Sequence, residues 1–177
     1  VAEGKLHPEV ERALDMAKLK NRSLIAATFF LVTACGVQFA SATEAPADPC
    51  ELLPAATVSK TLGQAYGAPQ ASIAPRPYAN TVQGTDCRYE PKGAGSRLWF
   101  RVYFDPSPSD ATGLFAKLKM FYSPPTPIAG VGDEAYFDPA HALHARKGNV
   151  RFYLQLAGAS ANESQLSSLA SQVAGQL

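Results

Sequence analysis

The chain has 177 residues, 46% apolar and 18% charged, with sixteen basic and fifteen acidic side chains and a formal net charge of +1. That balance suits a globular protein with room for one ordinary core. From Gly36 onward five Lys and six Arg stand against eleven Asp and Glu, so there is no electrostatic case for nucleic acid, which needs a basic face to neutralise phosphates.

The longest apolar stretch runs from Leu24 to Cys35, interrupted only by Thr28 and Thr33. A bilayer span takes about 20 such residues, so this one is too short. Lys18, Lys20 and Arg22 precede it and small residues follow, the order of a secretory signal. Glu3, Glu9, Glu11 and Asp15 do not suit the positive end of such a signal. Residues 1–15 are therefore expected to be an overextended start, with Met16 opening a leader that runs to Ala42. Two cleavage patterns compete. Val32, Thr33, Ala34 and Cys35 form a lipobox, with Cys35 as the lipidated residue, whereas Ala40, Ser41 and Ala42 form the A-x-A pattern that leaves Thr43 as the new N-terminus. Both predict an exported protein of the cell envelope, anchored to a membrane by lipid if Cys35 is processed and free in the periplasm or outside if it is not.

Processing also accounts for the odd number of cysteines. With Cys35 lipidated or removed, Cys50 and Cys87 remain as an even pair in an oxidising compartment and are expected to form a disulfide. Neither lies in a C-x-x-C spacing or at a zinc-ligand interval from a histidine, so neither redox nor metal chemistry is expected of them.

Residues 43–49, rich in Ala, Pro and acid, are read as a tether, and 50–177 as one domain. Val58 and Leu62 predict a short helix after Pro54, and the prolines of 68–83 predict a loop with an edge segment at most. Residues 85–90 and 97–104 predict a hairpin. In the second strand Leu98, Phe100, Val102 and Phe104 alternate with Arg97, Trp99, Arg101 and Tyr103. Ser107 or Ser109 is expected to cap a helix with Leu114, Phe115, Leu118 and Phe121 on one face, ended by the prolines of 124–127. A turn at Gly130–Asp133 leads into strand 134–137, and residues 143–146 pair with 150–156 across Lys147, Gly148 and Asn149. Asn162 caps a last helix carrying Leu166, Leu169, Val173 and Leu177 on one stripe. The expected fold is α+β, with a mainly antiparallel sheet of four to six strands, two or three packed helices and one disulfide.

No catalytic or cofactor motif is present, so no cofactor or metal is predicted and the chain is read as more suited to binding than to catalysis. His141 and His144 lie three apart in a segment read as loop entering strand, and are expected on the surface. The candidate binding face is Arg97, Trp99, Arg101 and Tyr103, because aromatic residues and arginines are enriched at recognition sites. The alternative is that this face is covered and its rings are core.

C-E-L-L at Cys50–Leu53, T-L-G at Thr61–Gly63, C-R-Y at Cys87–Tyr89, G-V-G-D-E-A at Gly130–Ala135, a K-G hairpin and a terminal helix together resemble small bacterial envelope lipoproteins of uncharacterised function. The resemblance covers residues 50–177. It implies a disulfide between the two cysteines and a conformational role for the G-x-G-D-x-A segment where it enters a strand, and it carries over no catalytic residue. The expected activity is binding of an envelope protein, a lipid or a small ligand. The rival is a small exported hydrolase with dispersed residues, which a cleft bringing a histidine to a carboxylate and a hydroxyl would favour.

Overall fold

The computed structural model describes residues 43–157 and 162–177. The expected start, the leader, both cleavage patterns and Cys35 lie outside the described residues. Seven strands, β1 (Gln70–Ala74), β2 (Gly84–Tyr89), β3 (Arg97–Phe104), β4 (Thr126–Ile128), β5 (Glu134–Phe137), β6 (Leu143–Lys147) and β7 (Val150–Ala157), form one antiparallel sheet ordered β1-β2-β3-β7-β6-β5-β4. Three helices accompany it, α1 (Ala55–Leu62), α2 (Pro108–Phe121) and α3 (Glu163–Ala174). The fold is α+β with more strands than the four to six expected. β4 is an addition, and β1 is the edge segment allowed for in the loop of 68–83; both are short edge strands in Pro-rich segments. Proline is tolerated there because an edge strand leaves half of its N–H groups unpaired.

Period-two alternation in β3 sets the two sides of the sheet. Leu98, Phe100 and Val102 are buried with Cys87, Tyr89, Phe152, Leu154, Leu143 and Ala145 on the first side. α3 packs Leu166, Leu169 and Val173 into this core, and α1 adds Val58. α1 stops at Gly63, whose φ of 72° is the left-handed geometry that glycine adopts without penalty. Pro54 stands at its N-cap, one position before the first turn expected for it. Asn162 caps α3 as expected, accepting from the Ser164 N–H at 3.2 Å. Gln165 donates to the Thr61 carbonyl at 3.1 Å and ties α3 to α1.

Cys50, in a short 3-10 turn at Pro49–Leu52, is disulfide-bonded to Cys87 in β2 with a Cα separation of 5.6 Å. The Tyr89 hydroxyl secures the same junction by donating to the Leu53 carbonyl at 2.5 Å. Thr43, expected in a free tether, instead exchanges two hydrogen bonds with the Asn149 side chain, at 2.6 and 3.0 Å. In the G-V-G-D-E-A segment, Gly130 and Gly132 have φ of 79° and 59°. They aim Asp133 at the β6–β7 turn, where it accepts from the Gly148 N–H at 2.8 Å and from Arg146 and Lys147.

α2 lies on the second side of the sheet. Ser107, the nearer of the two candidate caps, accepts from the Asp110 N–H at 3.1 Å. Ala111 and Phe115 are buried, but Phe121, expected on the same face, is 77% exposed. The last turn of α2 therefore leaves Phe121 uncovered by the sheet.

Candidate functional site

Strand register gathers a polar row on the second side of the sheet. Ser72, Asp86, Arg101, Tyr153, His144 and Tyr136 are successive cross-strand partners through β1, β2, β3, β7, β6 and β5. Over the middle of this row lies a cavity of about 400 Å³. Arg101, Tyr153 and His144 form its floor, with Tyr103 and Gln155 beside them. Leu118 and Phe121 of α2 and Tyr122 at its C-cap wall one side, and Pro75–Tyr78 wall another.

The loop after β1 is held to this place by its own bonds. Tyr103 donates its hydroxyl to the Pro75 carbonyl at 2.8 Å, Thr81 donates to the Tyr78 carbonyl at 2.7 Å, and Gln83 donates to the Ala74 carbonyl at 2.7 Å. Tyr103 can lie flat here because its cross-strand neighbour is Gly84, where a Cβ would come within 2.5 Å of the ring.

Arg101 and His144 are each held from behind by a carboxylate. Arg101 donates through Nε and Nη2 to both oxygens of Asp86, at 2.6 and 3.0 Å, a bidentate pair that fixes the guanidinium plane. Arg101 also lies over the Tyr153 ring, 5.7 Å from its centroid. The imidazole of His144 has its Nε2 3.1 Å from Asp138 Oδ2. Asp138 Oδ1 accepts the backbone N–H groups of Ala140 and Ala142 at 2.9 and 3.0 Å. Burial would raise the Asp138 pKa, but the bonds from His144 and these amides outweigh it and hold the carboxyl below its ordinary value. Because ionised Asp138 only accepts, the Nε2 of His144 donates to it. Tyr136 stacks on the imidazole at 4.8 Å, Tyr122 tilts over it at 4.9 Å and Tyr153 meets it edge-on at 5.0 Å. Burial pushes the hydroxyls of Tyr136 and Tyr153 well above the ordinary phenol range.

The four residues of the candidate binding face do share one side of β3, but they part there. Arg101 and Tyr103 reach the cavity. Tyr103 is 6% exposed, and Arg151 lies over its ring at 4.9 Å. Trp99 is half-buried one row away beside Asp86 and Arg88, and its buried Nε1 has no hydrogen-bond partner among the described residues. Arg97 pairs with Glu90 at 2.7 Å outside the cavity. The histidines also separate. His141 is exposed, with φ of 59°, and bonds Glu163 at 2.9 Å, whereas His144, expected on the surface, is 7% exposed. His144 is covered because β6 is an inner strand and α2 lies over that side.

His144 was expected on the surface and outside any site, and Tyr122, Tyr136, Tyr153 and Gln155 were not singled out by sequence. Hairpin pairing across Gly148 and Asn149 does set His144 opposite Tyr153, a signal present in the chain. The adjacency of β7 to β3, which brings both to Arg101, is a long-range pairing with no local signal. No cluster of three or more metal-ligating side chains occurs among the described residues, and no helix among them is long and apolar enough to cross a membrane. The chain matches no family profile, no curated protein and no solved structure.

Proposed function

We propose that this chain is an exported binding module of the cell envelope whose ligand, a small molecule, sits in the cavity over Arg101 and His144. The observation that carries this is the preorganisation of the floor. Two polar groups, each braced by its own carboxylate, stand between aromatic walls in a concavity of about 400 Å³, within the size range of small-ligand sites. Bracing of this kind fixes hydrogen-bonding groups before a ligand arrives and lowers the ordering cost of binding. Export rests on the leader pattern at residues 16–42, and a disulfide between Cys50 and Cys87 accords with an oxidising compartment.

The His144–Asp138 pair favours a second reading, acid–base hydrolysis in the same cavity. The lining residues include phenol hydroxyls but no Ser, Thr or Cys. That composition suits binding better than nucleophilic attack.

Ala140 is exposed at the cavity wall and keeps its backbone contact whatever its side chain, so Ala140→Trp should fill the mouth without disturbing the core. Ligand-observed NMR with a fragment library on the full chain should find binders to the wild type that the variant loses while melting normally. Equal binding by both proteins would refute the site. Fractionation should place the chain outside the cytoplasm, and Cys35→Ser should release or block a lipoprotein while leaving a free secreted form unchanged. An intact leader on cytoplasmic protein would refute export.

A further inference from the structure

We infer that the cavity takes a flat organic monoanion, of the chemical class of aromatic carboxylates, with the carboxylate on Arg101 and the ring between the tyrosines. This deepens the binding proposal and rests on it. Three observations set the charge, the shape and the size.

The charge follows from which groups remain unoccupied. Arg76 and Arg101 both line the cavity. Asp86 engages Arg101 through Nε and Nη2 only, so the N–H groups of Nη1 are left for a second acceptor. Arg76, on the exposed loop, has no carboxylate within ion-pair distance among the described residues. The one lining carboxylate, Asp138, already accepts three hydrogen bonds and is buried, so it offers little to a cation. An incoming carboxylate would therefore meet an edge of guanidinium that Asp86 does not occupy, where charge-assisted bonds are strongest.

The shape follows from the walls. Tyr78, Tyr122 and Phe121 surround a floor that itself contains Tyr153, and Phe121 meets Tyr122 edge-on at 5.1 Å, leaving ring surfaces at several orientations toward the cavity. Ring faces and edges favour an aromatic body, through stacked and edge-to-face contacts, over a saturated chain. Leu118 is the sole branched aliphatic residue of the lining. A volume of about 400 Å³ lies at the small end of ligand pockets and suits one or two fused rings.

Titration calorimetry on the full chain with 2-naphthoate, 2-naphthamide, 2-naphthylmethylammonium and decanoate separates these features. Naphthoate should bind at least about tenfold more tightly than the amide or the ammonium, as loss of one charge-assisted contact implies. Decanoate should bind more weakly than naphthoate. Arg101→Gln should weaken naphthoate by about tenfold or more and the amide, which loses only a neutral acceptor's bond, by clearly less. Should that variant fail to fold, Arg76→Glu on the exposed loop carries the same charge test and should also weaken naphthoate selectively. Equal affinity for acid and amide, tighter binding of decanoate, or indifference to both variants would overturn the monoanion. If these probes fail while other fragments bind in an Ala140→Trp-sensitive way, the monoanion falls alone. If no compound of any class binds there, the binding proposal falls with it.

Discussion

The imidazole of His144 lies flat against the ring of Tyr136, with centroids 4.8 Å apart and planes within 9° of parallel. The two residues are cross-strand partners on β6 and β5, and α2 closes over them through Phe115, whose ring is 5.2 Å from that of Tyr136. A polar ring held this way depends on its one strong partner, Asp138. Asp138→Asn should destabilise the fold by about 1 to 3 kcal/mol at neutral pH, the cost of disrupting a buried hydrogen-bond network. The Asp138 pKa is depressed in the fold, so its contribution is present above the unfolded value of about 4 and is lost as pH falls through the folded one. Urea denaturation at several pH values should therefore show the gap between wild type and variant closing in acid. A constant gap would contradict the assignment.

Asp105 and Arg151 form a second buried pair, with N–O distances of 2.5 and 2.9 Å and side chains 0% and 3% exposed. Removing one partner leaves the other charged and dry. Asp105→Ala should lower stability by about 3 to 5 kcal/mol, and replacing both residues by apolar ones should cost less than that single change. Chemical denaturation of the two variants measures the difference directly.

The disulfide closes a loop across a sequence separation of 37 residues. Such a loop is worth roughly 4 kcal/mol in the chain-entropy model, less any native-state strain. Non-reducing peptide mapping should recover the Cys50 and Cys87 peptides joined. Replacing both by Ser should lower stability by about 2 to 5 kcal/mol while ligand capture persists in the folded fraction. Free thiols in protein isolated without reductant would contradict the pairing.

Tyr89, Tyr136 and Tyr153 have phenols pushed well above their ordinary range, mainly by burial. A folded pKa raised above the unfolded one stabilises the fold up to the unfolded value of about 10, and that stability is lost as pH rises beyond it. Ultraviolet titration should show these phenols ionising together with unfolding above about pH 10, while circular dichroism remains native below it. Smooth ionisation of every tyrosine without loss of fold would show that Tyr89 and Tyr136 are not buried.

Much of the framework was legible in the chain because it is written in local periodicity. The alternation of β3, the caps at Ser107 and Asn162 and the stripe of α3 appear where composition puts them. Of the edge strands, β1 was legible only as a possible edge segment in the proline-rich loop of 68–83, and β4 was not legible at all, since it lies among prolines and exists through pairing with β5. At the site, Arg101 and Tyr103 could be found from β3 alone. His144 and Asp138 could not, because their burial comes from sheet order and from α2, both set by contacts distant in sequence.

The central proposal is a ligand site over Arg101 and His144. Its most direct test is backbone chemical-shift mapping on the full chain during titration with the strongest fragment from the screen, or with 2-naphthoate. The proposal predicts shifts concentrated at residues 75–78, 101–103, 118–122, 138–144 and 153–155, the segments that surround the cavity. Shifts centred instead on the α1 and α3 side of the sheet, or on the Trp99 and Arg97 end of β3, would contradict it.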